Sequence, residues 1–329
     1  MIISVALCTR NGARYIEDQV RSICEQTLPP DEIVISDDAS SDDTLVRAAA
    51  IIKQTHRAAH QPKLRILRNE QPLGVAKNFQ QAIAACSGEL IALSDQDDLW
   101  YPQRLEKMFS IFASRCKLLL LHSNARLVDA GGSEIGQGLF HALTVQPFEL
   151  EWLHNGCAFE VYLRRNLATG ATTMFRRQLL AVALPIPSGW LHDEWLAAVA
   201  SSIGEVDALE EPLIDYRQHS CNMIGARRLS WAEEIKRAFA PRGNTHVQRA
   251  LKAQSWLDRL EKISSEGFPV SQRKITALRC RLAHQQFRAE LPESRIQRLV
   301  PVLREMLTGN YGRFGRGLRG VLRDLLEPC

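Results

Sequence analysis

Short apolar runs alternate with amphipathic stretches along the first hundred residues. Helical spacing of apolar side chains predicts three helices, at about residues 15–27, from about residue 40 to His56, and within 74–88. Four apolar runs lie before and between these helices and are typical of buried strands: "IISVALCT", "EIVISDD", "KLRILRN" and "ELIALSD". Strands that alternate with helices predict an α/β fold in which a mostly parallel sheet carries helices on its faces.

Beyond residue 100 the pattern predicts further α/β elements and then a change of character. A helix is expected at "PQRLEKMFSIF", a strand at "LLLLHSNARLVD", a strand entering a helix at "ATGATTMFRR", a helix at "WLHDEWLAAVASSIG" and a last strand at "LIDYRQH". The stretch 136–168 is less regular. From Ser230 onward the sequence is polar and helical. We therefore expect an α/β region over 1–225 and a helical region over 226–329.

Composition supports a soluble protein with reduced thiols. The 329 residues are 45% apolar and 24% charged, which is ordinary for a globular chain. The longest obvious apolar run, "LLLL" at 118–121, is far below the about 18 residues of a membrane span. The N-terminus lacks the basic segment of a signal peptide, and the eight cysteines include no C-x-x-C pair. These features lead us to expect a cytoplasmic location.

Charge is distributed unevenly between the two regions. From Gly225 to the end there are 21 Lys and Arg against 10 Asp and Glu, a net of +11, whereas the first 224 residues carry a net of −7. Arginines mixed with Leu, Val and Phe near the C-terminus suit a helix lying on an anionic membrane surface. The same pattern equally suits a helix packed on the α/β region. No nucleic-acid recognition motif is present, so we expect no nucleic-acid partner.

Polar side chains follow each of the four predicted strands. Because ligands collect at the carboxyl ends of parallel strands, these residues are candidates for a common site: Thr9, Asn11, Asp37, Asp38, Asn69, Asp95, Asp97 and Asp98. No glycine-rich phosphate loop of the dinucleotide or P-loop type occurs in the sequence, which disfavours those two classes.

The stretch "LSDQDDLW" places three carboxylates within four residues. One interpretation is an acidic loop at the start of the next helix, where negative charge is favourable. A calcium EF-hand loop is excluded because Leu99 and Trp100 stand where it needs an oxygen ligand and a glycine. The remaining interpretation is a site for Mg²⁺ or Mn²⁺, which carboxylates and substrate phosphates bind together.

Seven segments in order carry a resemblance to a known family: "CTRNG", "VISDDASSDDT", "RNEQPLGVAKNFQQAI", "IALSDQDDLWYPQRLE", "ATGATTMFRRQLL", "WLHDEWLA" and "DYRQH". Together they resemble the family 2 inverting glycosyltransferases with the GT-A fold, close to their rhamnosyltransferase-like bacterial branch. The resemblance covers residues 1–225. It implies a nucleotide-sugar-binding, Rossmann-like domain followed by a basic α-helical C-terminal region.

The resemblance also implies roles for individual residues. Its D-x-D element would bind the divalent metal that bridges the donor diphosphate, with Asp97 as the main ligand, Asp95 on the metal or ribose side, and Asp98 in support. A late histidine, here His219, would be a further metal ligand, although a histidine at a strand end is often structural. The donor-binding residues implied are Thr9, Asn11, Asp37, Asp38, Asn69, Lys77 and Asp95.

In the family an acid at the start of a helix beneath the acceptor acts as the general base. The match here is "HDEW", which makes Asp193 the expected base and Glu194 the alternative; acids that merely favour a helix N-terminus are the other interpretation. Arg10 stands where the family often has an aromatic residue, so stacking on the base is not expected.

The resulting functional hypothesis is a metal-dependent inverting glycosyltransferase. It would move a sugar, with rhamnose as a candidate, from a dTDP- or UDP-sugar to a hydroxyl of a lipid-linked surface polysaccharide such as the O-antigen of lipopolysaccharide. Two alternatives stay open. A sugar-nucleotide nucleotidyltransferase would need a glycine-rich basic loop where this chain has "TRNGARY", and a non-catalytic basic adaptor would use the tail alone.

Overall fold

The computed structural model, which describes residues 1–54, 61–218, 243–315 and 317–328, is built around an eight-stranded mixed sheet. The strand order is β3-β2-β1-β4-β7-β6-β8-β5, and the pairs among β1 to β4 are all parallel. The strands are β1 (Ile3–Thr9), β2 (Glu32–Asp37), β3 (Lys63–Arg68), β4 (Leu90–Ser94), β5 (Leu99–Trp100), β6 (Leu118–Val128), β7 (Thr173–Arg176) and β8 (Glu205–Arg217). The predicted mostly parallel sheet is confirmed, with β7 as an antiparallel insertion between β4 and β6.

Helices lie between these strands along the chain, and those predicted from apolar spacing occur in the predicted order. They are α1 (Ile16–Cys24), α2 (Thr44–Gln54), α3 (Val75–Ala85), α4 (Arg104–Ser114), α5 (Leu139–Ala142), α6 (Pro147–His154), α7 (Ala158–Arg164), α8 (Leu180–Ala183) and α9 (His192–Ile203). Two 3-10 turns, Gly170–Thr172 and Arg177–Leu179, precede and follow β7. The less regular stretch thus contains three short helices, α5 to α7.

Burial explains why the central strands form. Every residue of β1, β2 and β4 is buried, whereas the edge strand β3 is largely exposed. The predicted apolar face of α1 (Ile16, Val20 and Ile23) lies in the same core as that of α4. Burying one such side chain contributes about 1.5–3 kcal/mol, so these two faces fix the helices on the sheet.

The described residues form two compact units. One holds Met1–Ala158 and Leu167–Ile186 together with residues 190–218. The other holds Phe159–Asn166, Pro187–Gly189 and the described residues from 243 onward. The expected division at residue 225 falls outside the described ranges, as does the helix expected at 230–240.

The second unit is helical, as its polar periodicity predicts. Its long helices are α10 (Thr245–Ser265), α11 (Gln272–Ala289) and α12 (Arg295–Leu307), followed by the short α13 (Asn310–Arg313) and by α14 (Leu318–Leu326). A small apolar core of Leu291, Val302, Tyr311 and Val321 joins the last helices. Within the described ranges, none of the helices combines the length and the apolarity that crossing a bilayer requires.

Candidate active site

The loops that follow β1 and β2 are held together by the side chain of Asp37. Its carboxylate accepts hydrogen bonds from Thr9 Oγ1 at 2.6 Å and from the backbone N–H and hydroxyl of Ser40 at 2.9 and 2.5 Å. Thr9 and Asp37 are both buried. These two predicted donor-binding residues therefore bond to each other and shape the site from beneath.

Asn11 connects the same two loops at the surface. Its φ of 49° lies in the left-handed region, which asparagine adopts more readily than most residues. Its Oδ1 accepts a hydrogen bond from the Ser41 N–H at 2.9 Å, and its own N–H donates to Ser40 Oγ. Because these bonds fix the backbone, Asn11 is presented at a defined position beside the end of β1.

Asp38 holds the loop that precedes α3. Its two carboxylate oxygens accept hydrogen bonds from the backbone N–H groups of Leu73 at 2.5 Å and Gly74 at 3.0 Å. Arg10 lies 3.8 Å from the same carboxylate. Asp38 is itself buried, so the loops after β1, β2 and β3 are tied into one edge.

The other two predicted residues near this edge have different environments. Asn69 lies directly after β3 and donates a hydrogen bond to the buried Asn78 at 3.3 Å. Asn78 in turn bonds to Ser36 in β2. Lys77 is exposed on α3. Asn69 is thus part of the supporting network, and Lys77 presents a cation near the surface.

Gln96 connects the first loop to the acidic loop after β4. Its side-chain amide pairs with the backbone of Arg10, accepting from the N–H at 2.7 Å and donating to the carbonyl at 3.0 Å. A Cβ on Gly12 would collide with this amide. Gln96 was not among the predicted site residues, and its position inside "DQDD" was the only signal for it.

The acidic loop is strained electrostatically. Asp98 is 1% exposed; its Oδ1 accepts a hydrogen bond from the Arg217 N–H at 3.1 Å, whereas its Oδ2 has no hydrogen-bond partner among the described residues. Burial, followed by the charges of Asp97 and Asp95, raises the pKa of Asp98 well above its ordinary value. The Arg217 side chain bonds to the carbonyl of Asp97 at 2.8 Å and thereby fixes the loop.

Asp193 approaches this loop from the start of α9. Its Oδ2 accepts a hydrogen bond from the Gly170 N–H at 2.9 Å, which orients the carboxylate. Burial, then the charge of Asp97 and then that of Asp193, raises the pKa of Asp95 to about 7. The fold therefore brings the predicted base and the predicted metal ligands into one electrostatic cluster, although about a hundred residues separate them.

Tyr216 lies among the same acids. Burial and then the charges of Asp95, Asp98, Asp97 and Asp193 raise its pKa. All four carboxylates therefore act electrostatically on the same phenol group. The charge of Asp193 thus acts on both Asp95 and Tyr216.

His192 positions Asp193 by packing. Its ring stacks on Phe79 with centroids 3.7 Å apart, and burial lowers its pKa to about 3, so the ring is neutral. A Cβ on Gly170 would lie 2.6 Å from His192 Nε2. The glycine in "ATGATT" is therefore needed where this turn meets the ring and binds Asp193.

Arg104 is a cation inside the protein that sequence reasoning missed. Its side chain is fully buried against the ring of Trp100, 3.7 Å from the centroid, and two of its nitrogens have no hydrogen-bond partner among the described residues. Burial lowers its pKa to about 9, and the charges of Asp98 and Asp95 oppose that shift. Two buried guanidinium groups, those of Arg104 and Arg217, thus lie beside a loop that carries three carboxylates.

The residues of this cluster fit a divalent cation. Its ligands would be carboxylate oxygens, which suit Mg²⁺ and Mn²⁺, and the buried, unbonded Oδ2 of Asp98 together with the raised pKa of Asp95 shows that positive charge is in deficit. His219, the predicted further ligand, lies outside the described residues.

The chain is similar to the members of a known protein family. Residues 4–180 match the family described as glycosyl transferase family 2. The chain is 31% identical over 243 residues to a glycosyltransferase of Haemophilus influenzae, covering 72% of each chain. It is 28% identical over 253 residues to a glycosyltransferase of Nostoc, covering 75% of this chain and 74% of that one. Three mycobacterial relatives are 27% identical over 222 residues, which is 59% of their own length.

A solved structure shares the fold. The crystal structure of S. aureus TarS residues 1–349 with UDP-GlcNAc superposes with a TM-score of 0.57 at 15% identity, covering 99% of this chain and 90% of that one. The fold is therefore that of the GT-A enzymes. The chain belongs to glycosyl transferase family 2, as its sequence motifs predicted.

Proposed function

We propose that this chain is a metal-dependent inverting glycosyltransferase. It moves a sugar, with rhamnose as the first candidate because of the motif resemblance, from a dTDP- or UDP-sugar to a hydroxyl of a lipid-linked surface polysaccharide such as the O-antigen. The observation that carries the proposal is the proximity of Asp95, Asp97 and Asp193: burial, and then the charges of Asp97 and Asp193, raise the pKa of Asp95 to about 7.

In this proposal the acidic loop receives the donor diphosphate. Asp97 and Asp95 would hold Mg²⁺ or Mn²⁺, and His219 would be a third ligand. The metal, when bound, stabilises the negative charge that develops on the departing nucleoside diphosphate. Arg217 keeps the loop in place through the Asp97 carbonyl, and Arg104 supplies the permanent positive charge below it.

The joined loops after β1, β2 and β3 form the proposed nucleoside side of the site. Asn11 and Lys77 are exposed and would contact the donor directly. Thr9, Asp37, Asp38 and Asn69 would act mainly by holding that surface rigid, since their polar atoms already bond to neighbouring loops.

Asp193 is the proposed general base. Its carboxylate, oriented by the Gly170 N–H, would take the proton from the acceptor hydroxyl as that oxygen attacks the anomeric carbon. The nucleoside diphosphate leaves from the opposite face of the sugar, so a single displacement inverts the configuration. A retaining route would need a second carboxylate as nucleophile. Glu194 is the alternative base.

The two regions of the chain have different roles in this proposal. Residues 1–225 are proposed to be the catalytic region, and the basic helical residues 226–329 to hold the enzyme in peripheral contact with the cytoplasmic face of the membrane, where a lipid-linked acceptor would lie.

Donor binding tests the proposal without knowledge of the acceptor. Thermal unfolding of the chain should be measured with UDP, dTDP and GDP sugars, each with and without Mn²⁺. The proposal predicts that at least one donor raises the melting temperature only when Mn²⁺ is present, and that Asp97→Asn abolishes this effect. Stabilisation that is independent of metal, or none with any donor, would contradict it. Glu25→Gln, which changes an exposed acid at the C-terminal end of α1, is a matched control that should behave as wild type.

A further inference from the structure

Helix α12 carries apolar side chains on the side that faces away from its core. Its inner side is marked by the buried residues Arg298 and Val302. Five apolar residues lie on the opposite side of the helix, because an α-helix turns about 100° per residue. They are 45–83% exposed and form what we call the α12 outer stripe: Ile296, Leu299, Val300, Leu303 and Leu307.

Helix α14 repeats the arrangement. Val321 and Asp324 are buried on its inner side. Leu318, Leu322 and Leu326, spaced four residues apart, are 71%, 56% and 40% exposed and form the α14 outer stripe. The two helices pack against each other within the second unit. Exposed apolar area of this extent on adjoining helices is characteristic of an interaction surface.

The acidic side chains of residues 295–328 are shielded from solvent. Asp324 is fully buried and receives both hydrogen bonds of the Arg288 guanidinium, at 2.6 and 2.7 Å. Glu327 is buried and pairs with Arg323 at 3.0 Å. Glu305, largely shielded, bonds with His284 at 2.6 Å and Asn310 at 2.8 Å.

The exposed charged side chains of this segment are therefore all positive. In the described part of 295–328 every exposed charged side chain is an arginine: Arg295, Arg304, Arg313 and Arg319. The composition of this segment, which includes three acids, understates the positive character of its surface. Arginines beside leucine stripes complement a surface that is negative outside and apolar just beneath.

We propose that the outer stripes of α12 and α14 dock on an anionic lipid surface. The leucines and isoleucine would enter the boundary between headgroups and acyl chains, and the arginines would contact lipid phosphates. A second copy of the same face would set arginine against arginine. A nucleic acid would leave the apolar stripes uncovered. The inference deepens the membrane contact in the proposed function by assigning it to a defined surface.

Vesicle sedimentation with the full chain tests this assignment, and it needs neither donor nor acceptor. The chain should sediment with vesicles made of equal parts phosphatidylcholine and phosphatidylglycerol, and far less with phosphatidylcholine alone. The double variant Leu299→Gln and Leu303→Gln should lower the partition coefficient by about tenfold per leucine. Arg304→Gln should lower it about fivefold. Leu251→Gln, which changes a leucine 58% exposed on α10, is the matched control and should bind as wild type.

Three results would overturn the inference. The first is a lack of binding to the phosphatidylglycerol vesicles. The second is unchanged binding by the double leucine variant, with circular dichroism confirming that it is folded. The third is a wild-type dimer in sedimentation equilibrium that the double variant dissociates, which would assign the stripes to a second copy. Sugar transfer without vesicle binding would refute this inference and the proposed membrane contact but leave the proposed transfer reaction intact, whereas vesicle binding without any donor turnover would refute the transfer reaction and leave this inference intact.

Discussion

Neutralising Asp95 should make the metal-free protein more stable. Its pKa is about 7 in the folded chain against an ordinary 3.8, so the folded state binds this proton more tightly than the unfolded state does. The contribution of Asp95 to the free energy of unfolding is therefore greatest below about pH 4, and it is lost as the pH rises to about 7. A shift of about three pKa units corresponds to about 4 kcal/mol at most. Because burial comes first among the causes of this shift and the charges of Asp97 and Asp193 follow, we expect Asp95→Asn to recover about 2–4 kcal/mol.

Thermal unfolding followed by circular dichroism measures this effect. At about pH 8 without metal, Asp95→Asn should melt roughly 4–8 °C above wild type, and the difference should vanish near pH 4. Mn²⁺ should stabilise the wild type and have little effect on the variant. Glu70→Gln, an exposed acid after β3, should match wild type at every pH. If the variant melts at or below the wild-type temperature at pH 8, the charged Asp95 does not destabilise the folded state, and the reasoning is refuted.

Three further changes probe the supporting residues. Arg104→Met removes a charge that lowers the pKa values of Asp95 and Asp98, so the pH at which Mn²⁺ begins to stabilise the chain in thermal unfolding should rise; an unchanged pH dependence would contradict its role. Asp193→Asn should lower kcat by about 10²–10⁴ while metal-dependent nucleotide binding persists; equal kcat would exclude it as the base. Gly12→Ala should weaken donor binding in calorimetry, because its Cβ displaces Gln96; wild-type affinity would show that the loop adapts freely.

Much of the catalytic fold could be predicted because its signals are local. The strands β1, β2 and β4 are continuous apolar runs, and α1 and α4 show apolar residues at helical spacing, so burial and periodicity agree. The same strand pattern placed the acids at strand ends, and the family resemblance then implied their roles. β5 could not be found in the same way, because Leu99 and Trp100 become a strand only by pairing with β8 more than a hundred residues later.

The charges that surround the site could not be predicted either, because they also depend on contacts between residues far apart in sequence. Arg104 has the sequence context of an ordinary first-turn helix residue, and only the packing of α4 places its guanidinium beneath the acidic loop. In the second unit, composition treats Asp324 and Glu327 as surface acids. The tertiary fold buries both, which leaves arginines as the exposed charges.

The central claim is that the acidic loop and Asp193 together transfer a sugar from a nucleotide donor. Its most direct test is to incubate the chain with a panel of nucleotide sugars, Mn²⁺ and lipid-linked acceptors, and to measure released nucleoside diphosphate. We predict that one donor gives metal-dependent release, that Asp97→Asn and Asp193→Asn abolish it, and that Glu25→Gln does not. Release of pyrophosphate from a sugar phosphate and a nucleoside triphosphate would instead identify a nucleotidyltransferase. Diphosphate release that persists at the wild-type rate in both aspartate variants would contradict the account.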